Sequence, residues 1–372
     1  LIKLNSFPRN KNQAQLSEIV LLSNSESADN ILINKSELIN SGDGAITSVD
    51  DLYGSYQIQL HEDGENYFRF VPNDPYSVDY DLKFIKTSFG PSAGIGSTIF
   101  GSITLRTFTA QVLSDTTQVT GYNINQYNAL YVNTKVEDLV THEMNYVETY
   151  VTHDGIDTKL SESFVGSTLE TKLQIGFSTA SISGSTLILG YENPAGNNKI
   201  RISQKIVGIG TTGSGNGEYR YSIGSEQVAG AERSAVYQSI NQVGIGTTTI
   251  VELDSSLFDA AKSIVYVQSN NFSALHQLTV LHDDTNGYIQ QAPFLTNDNV
   301  VPITGLGTFG VEFSPSGNLT VKFHPEDLVG VTTVNIFNQA IYKILDLENT
   351  YPSLDYGRVS ESVSNASYNA VN

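Results

Sequence analysis

Eleven residues of this chain line up without a gap on a segment 253 positions further on. Gly54-Ser-Tyr-Gln-Ile-Gln-Leu-His-Glu-Asp-Gly64 lies over Gly307-Thr-Phe-Gly-Val-Glu-Phe-Ser-Pro-Ser-Gly317, and the same offset carries Phe70 onto Phe323 and Pro72 onto Pro325. Each copy reads as a strand, a tight turn at glycine, a second strand, and a proline that cannot donate to the ladder and so closes it. A third copy runs from Leu173 through Gly184 and Leu187-Ile188-Leu189 to Pro194, with two more residues between turn and proline. A lone hairpin is marginal in water and needs a facing sheet to bury its apolar side. The repeat therefore predicts an all-β chain of tandem antiparallel β-sandwich modules, with Gly184 and Gly317 at equivalent turns.

The rest of the chain has the same character. Tyr56-Gln57-Ile58-Gln59-Leu60 and Leu319-Thr320-Val321-Lys322-Phe323 alternate between two faces, and β-branched and aromatic residues favour a pleated sheet. Turn dipeptides such as Asp43-Gly44, Asp154-Gly155 and Asn286-Gly287 separate such runs. Helical periodicity is confined to Val136–Met144 and to Ser255–Lys262, where Asp254 is placed to cap the start. Ahead of the hairpins, Leu130-Tyr131-Val132 matches Val265-Tyr266-Val267, and Tyr150–Gly155 matches Thr279–Asp284. In the first module Ile19-Val20-Leu21-Leu22 is a poor counterpart.

Modules are accordingly expected at 1–93 (divergent or truncated), 94–212 and 244–345. A Gly/Ser-rich connector is expected at 213–243 and a polar, extended tail at 346–372. Gly94-Ile95-Gly96, Gly208-Ile209-Gly210 and Gly244-Ile245-Gly246 fall near these junctions. Paired glycines free the backbone, so all six glycines read as hinges. Valine at Gly208 and Gly210 should then misalign neighbouring modules and leave each fold intact. Within the two linkers, Tyr219, Tyr221, Val236, Tyr237, Tyr351, Leu354 and Tyr356 are apolar or aromatic residues in polar surroundings. Such segments become ordered against a partner by adding a strand or laying rings into a groove.

Composition removes several function classes. The 39 acidic residues against 20 basic ones leave a net charge of −19, which repels phosphate backbones and argues against nucleic acid. With no cysteine there are no disulfides, thiolate zinc sites or thiol nucleophiles. No apolar run approaches the ~18 residues of a membrane helix. The opening Leu1-Ile2-Lys3-Leu4-Asn5 lacks the layout of a secretory signal, and its missing initiator Met reads as a segment of a longer or processed polypeptide.

The motifs that would carry chemistry are missing. No Gly-Lys-Ser/Thr follows the glycine strings, so they do not form a phosphate loop. His61, His142, His153, His276, His282 and His324 form no zinc pair. His153-Asp154 and His282-Asp283 occupy equivalent places in the repeat, which points to turns in which His and Asp bond the local backbone. A catalytic pair would need a nucleophile, and no Gly-x-Ser-x-Gly elbow is present. Asp74, Asp79 and Asp81, and Asp283 with Asp284, lack the spacing of a calcium loop. Tyr76, Tyr80, Tyr122 and Tyr127 join Tyr219 and Tyr221 as candidates for a glycan or protein surface. No cofactor, metal or catalytic residue is expected.

The order Val/Leu strand, His-Asp-Gly or His-Asp-Asp turn, strand, then Gly-turn-strand-Pro resembles a β module of tailed-bacteriophage structural proteins. The likeness is strongest to the large virion proteins of marine cyanophages. Val151–Gly155 with Gly184–Pro194, and Leu278–Tyr288 with Gly317–Pro325, carry the likeness, as do the Gly-Ile-Gly-Thr-Thr strings, over residues 54–345. The resemblance implies a virion location in tail, baseplate, neck or fibre. It implies a non-enzymatic spacer, assembly or adhesion role, and partners among other virion proteins, copies of the same chain or a host surface glycan. A cell-surface adhesin of Ig-like repeats and a carbohydrate-active enzyme with β accessory domains are the competing classes.

Overall fold

The computed structural model describes residues 2–8, 15–23, 30–40, 54–60, 66–72, 80–86, 96–100, 103–112, 115–141, 143–167, 175–193, 200–210, 217–221, 234–243, 246–256, 258–269, 272–282, 285–296, 306–326 and 332–342. Among them the chain is all-β, built of antiparallel strands with no helix.

The strands fall into three units that share one plan. The second unit comprises β7 (Gly96–Phe100), β8 (Ile103–Val112), β9 (Asp115–Asn123), β10 (Tyr127–Asp138), β11 (Met144–His153), β12 (Thr158–Ser167), β13 (Phe177–Ser183), β14 (Thr186–Asn193) and β15 (Ile200–Gly210). They form a six-stranded sheet in the order β12-β11-β10-β15-β8-β7 and a three-stranded sheet in the order β13-β14-β9. The third unit comprises β16 (Gly217–Tyr221), β17 (Ser234–Val243), β18 (Thr248–Leu253), β19 (Phe258–Ser269), β20 (Phe272–His282), β21 (Gly287–Thr296), β22 (Gly307–Phe313), β23 (Leu319–Pro325) and β24 (Thr332–Tyr342). Its sheets read β21-β20-β19-β24-β17-β16 and β22-β23-β18, strand for strand the same order. The first unit has β1 (Ile2–Pro8), β2 (Gln15–Ser23), β3 (Asn30–Asn40), β4 (Gly54–Leu60), β5 (Asn66–Pro72) and β6 (Tyr80–Lys86). Its order β3-β2-β1-β6, with the hairpin β4-β5, reproduces the last six strands of the nine.

The repeat seen in the sequence is a hairpin held in one register. Gly54 pairs with Pro72 and Tyr56 with Phe70; Gly307 pairs with Pro325 and Phe309 with Phe323. In the second unit the equivalent hairpin starts at Gly176. Side chains at Gly176 and Gly307 would collide with the carbonyls of Glu192 and His324 and with the rings of Tyr191 and Phe323. Gly184 and Gly317 both take positive φ in the hairpin loop, at 59° and 86°, where glycine is favoured. The loops differ, however: Ser183 pairs directly with Thr186, whereas Phe313 and Leu319 are separated by five residues.

The second and third sandwiches each close on their own core. In the third unit Leu253, Leu319 and Phe323 of the small sheet meet Val265, Leu278 and Val280 of the large one. In the second, Leu187 and Leu189 meet Leu130, Val132 and Val151. At ~1.5–3 kcal/mol for each large apolar side chain, this burial is the main force holding the two layers together.

Several expectations change here. The connector 213–243 contributes strands: β16 and β17 lie in the large sheet of the third unit, with β17 bonded along its length to β24. Its Gly/Ser richness obscured a short strand and the strand that follows it. Gly208 sits inside β15, between β8 and β10, rather than at a joint, while Gly210 ends that strand opposite Tyr127 of β10. Gly208 is glycine because a Cβ would come within 2.9 Å of the Tyr127 ring. Gly246, with φ 134°, turns the chain from β17 into β18 within one unit, and Gly96 opens β7. Gly94 and Gly244 lie outside the described residues.

The two helix candidates are also strands joined by turns. Asp138 Oδ1 accepts bonds from the backbone of Val140 (2.7 Å) and Thr141 (3.1 Å), and Asp254 Oδ1 accepts from Ser256 N at 2.9 Å. This is helix-capping chemistry used in an Asx turn.

Candidate functional site: the seam between units

The central strands β10, β11, β15 and β20 of the large sheets are buried on both faces, and the second face is where units meet. Along β10, even-numbered Leu130 and Val132 enter the unit's own core, while odd-numbered Ala129 and Tyr131 enter another. In that second core they join Val207 and Ile209 of β15, and Ile264, Tyr266 and Leu275 of the third unit. The first unit takes part too, since β2 and β3 approach β11 and β12, β3 approaches β21, and β6 approaches β24. In β2 the neighbours Ile19 and Val20 are both buried, so that strand is covered on both sides. Strands with two buried faces lose the alternation that marks a half-exposed sheet.

Polar groups fix how the second and third units meet. The Tyr150 hydroxyl donates to Gln277 Oε1, and Asn128 Nδ2 donates to Gln268 Oε1 at 3.2 Å. The rings of Tyr131 and Tyr150 stack with centroids 5.1 Å apart. Over the Tyr131 ring stands the ammonium of Lys262 from the third unit, 5.6 Å from the centroid and almost fully buried. Asn133 Oδ1 accepts from both Tyr131 (3.0 Å) and Tyr146 (2.6 Å). Burial pushes the Tyr266 hydroxyl up to about 12, which keeps it a neutral donor. An apolar seam alone would tolerate sliding; directional bonds such as these set one register.

Tyr131 and Lys262 occupy matching places in their units. Both strands carry a bulge at their start, between Tyr127 and Ala129 and between Phe258 and Ala260. Leu130-Tyr131-Val132 therefore corresponds to Ala261-Lys262-Ser263. The sequence match to Val265-Tyr266-Val267 is four residues out of register, because apolar residues on a doubly buried strand recur at almost every position.

His153 and Asp154 hold a structural turn, and His282 bonds the backbone at the equivalent place. His153 Nδ1 accepts from Gly155 N at 3.1 Å, which leaves the ring hydrogen on Nε2, facing the Tyr127 carbonyl at 2.5 Å. His282 Nε2 faces the Phe258 carbonyl at the same place in the third unit. Asp154 Oδ1 accepts from Ile156 N and Asp157 N, each at 2.8 Å, and those amides hold its carboxyl below the usual range. His276, buried beneath the hairpin, accepts on Nδ1 from Gln291 Nε2 at 2.8 Å and meets the Phe309 ring edge-on at 5.0 Å. Desolvation lowers it to about 3.

The candidate partner residues divide into two groups. Tyr219 and Tyr221 lie in β16, an edge strand, and Val236 and Tyr237 lie in β17 between β16 and β24. Their backbones are thus ordered within the chain itself. Tyr351, Leu354 and Tyr356 lie outside the described residues, as do Asp74, Asp79, Asp283, Asp284, His61 and His142. Tyr122 is a core residue, edge-on to Tyr127 with centroids 5.5 Å apart. Tyr131, Tyr150, Lys262 and Gln277 escaped the sequence reading, and the near-continuous apolar runs around Leu130 and Leu278 were the available signal. Among the described residues, no three His, Cys, Asp or Glu side chains gather to hold a metal, and no helix is long and apolar enough to cross a membrane. No protein family, curated protein or solved structure matches the chain.

Proposed function

We propose that this chain is a non-enzymatic structural component of a tailed-phage virion, in which tandem β units act as spacer, assembly or adhesion modules. The observation that carries this reading is the seam. Units of one strand order meet through buried, hydrogen-bonded sheet faces, as a load-transmitting part requires. His153 and His282, the residues nearest to catalytic chemistry in the sequence, are each occupied by a backbone carbonyl. The module likeness over residues 54–345 supplies the virion setting, in tail, baseplate, neck or fibre. Partners are other virion proteins and further copies of the chain, and an adhesion role adds a host surface glycan.

Quantitative mass spectrometry of purified particles tests the proposal. Peptides from this chain should occur at a fixed copy number per particle that matches the symmetry of one tail or neck ring. Absence from washed particles, with the protein free in the lysate, would sink it.

A further inference from the structure

The second and third units each begin with three strands that follow the closing strand of the unit before: β7–β9 follow β6, and β16–β18 follow β15. The middle strand of each trio covers the closing strand of its own unit, β8 lying along β15 and β17 along β24. In the first unit the closing strand is β6. It pairs with β1 on one side, and among the described residues its other edge is the end of the sheet. Such an edge offers a row of backbone donors and acceptors to an added strand.

Residues beyond β24 stand in the phase of the strand that covers β24. At an offset of 131, Ser222, Val228, Ala235, Tyr237 and Asn241 fall on Ser353, Val359, Ala366, Tyr368 and Asn372 as identities. At the same offset Ile223, Gln238 and Ile240 fall on Leu354, Asn369 and Val371. The spacing is that of the units themselves, because 131 also carries Tyr127 onto Phe258 and Gly176 onto Gly307 at equivalent places. The reach agrees as well. Twenty-four positions separate Gly210, the end of β15, from Ser234, the start of β17, and twenty-three separate Tyr342 from Asn365, on which Ser234 falls at that offset. Moreover, β24 approaches β6 as β15 approaches β24, so the step from third unit to first repeats the step from second to third.

We propose that residues 365–372 add as a strand to the edge of β6 that faces away from β1 in the same chain. Each closing strand is then covered by a strand from the segment following the closing strand of the preceding unit, and the three units close into a ring. The idea rests on strand order, phase and length, and stands whether or not the protein belongs to a virion.

Amide hydrogen exchange on the full 372-residue chain tests it, against a variant ending at Leu345 and against Ala370→Pro, which removes a ladder donor. In both variants the β6 amides should exchange at least about ten-fold faster, because a paired edge becomes an open one. The amides of β19 and β20 should be unchanged, which shows that the fold survives. A synthetic peptide of residues 343–372 should restore β6 protection to the truncated chain. Light scattering on the same samples should give a monomer mass for the protected full chain. Equal β6 exchange in the full chain and both variants would overturn the proposal. So would β6 protection confined to a species of twice the monomer mass, since the occupant would then be a second copy.

Discussion

Tyr150 donates its phenolic hydrogen to the side-chain oxygen of Gln277, 127 residues further along the chain and in the next unit. Removing that hydrogen leaves a buried acceptor without this donor, which costs about 1–3 kcal/mol. Tyr150→Phe should therefore lower the stability of the chain by about that amount, read from the denaturant midpoint. Combined with Gln277→Leu, the losses should fall short of additivity by at least about 0.5 kcal/mol, since the residues touch. Strict additivity would mean that the bond does not join the units.

Gly208 separates two readings of the glycine strings. As a hinge, the position would accept a valine side chain with its unit intact. Within β15, added side-chain atoms would meet the Tyr127 ring, which packs next to Leu130 and Tyr122. Gly208→Val should destabilise the second unit by about 1–3 kcal/mol through overpacking, detected by thermal unfolding. Unchanged unfolding with an altered scattering profile would restore the hinge.

The hairpins and their register were legible because turn glycines and terminal prolines are local signals, as Gly307 opposite Pro325 illustrates. The His153-Asp154 turn was legible for the same reason. The seam was not. Tyr131 and Leu130 are adjacent apolar residues on opposite faces, and nothing local says that the outward face meets another unit about 130 residues away. Connector strands β16 and β17 were hidden likewise, since glycine and serine lower intrinsic strand preference and pairing to β24 decides the outcome.

The histidine turns yield a paired prediction. His153 and His282 each tie the last residue of one strand to the first residue of the strand beside it. His153→Ala and His282→Ala should each cost about 1–3 kcal/mol by leaving a carbonyl, half-buried at Tyr127 and buried at Phe258, without that donor. Matching losses in the two units, with no change in oligomer mass, fit a structural role. Loss of a catalytic rate on any substrate, with stability unchanged, would contradict it.

His276 gives the fold a pH dependence whose sign is fixed by its burial. Folded, the imidazole stays neutral down to about 3, because charging it beneath Phe309 and the hairpin means desolvating an ion. In the unfolded chain the same ring takes up its proton near the ordinary value of about 6.5. Between these limits the unfolded state binds more protons, so stability rises with pH there. The contribution is fully present above about 6.5, declines as pH falls, and is gone near 3. Asp154 acts in the same sense at lower pH, since its depressed carboxyl stabilises above the unfolded value and that gain is lost on protonation. Falling pH also relieves the repulsion of a chain carrying −19 net charge, which opposes both. The histidine contribution is isolated by comparison with His276→Gln, a neutral side chain at the same place. From about pH 6.5 to about pH 4.5 the native chain should lose stability relative to this variant, by an amount on the order of 2 kcal/mol for a single proton over that range. Parallel curves for the two proteins would show that His276 takes up its proton as readily in the fold as in the unfolded chain.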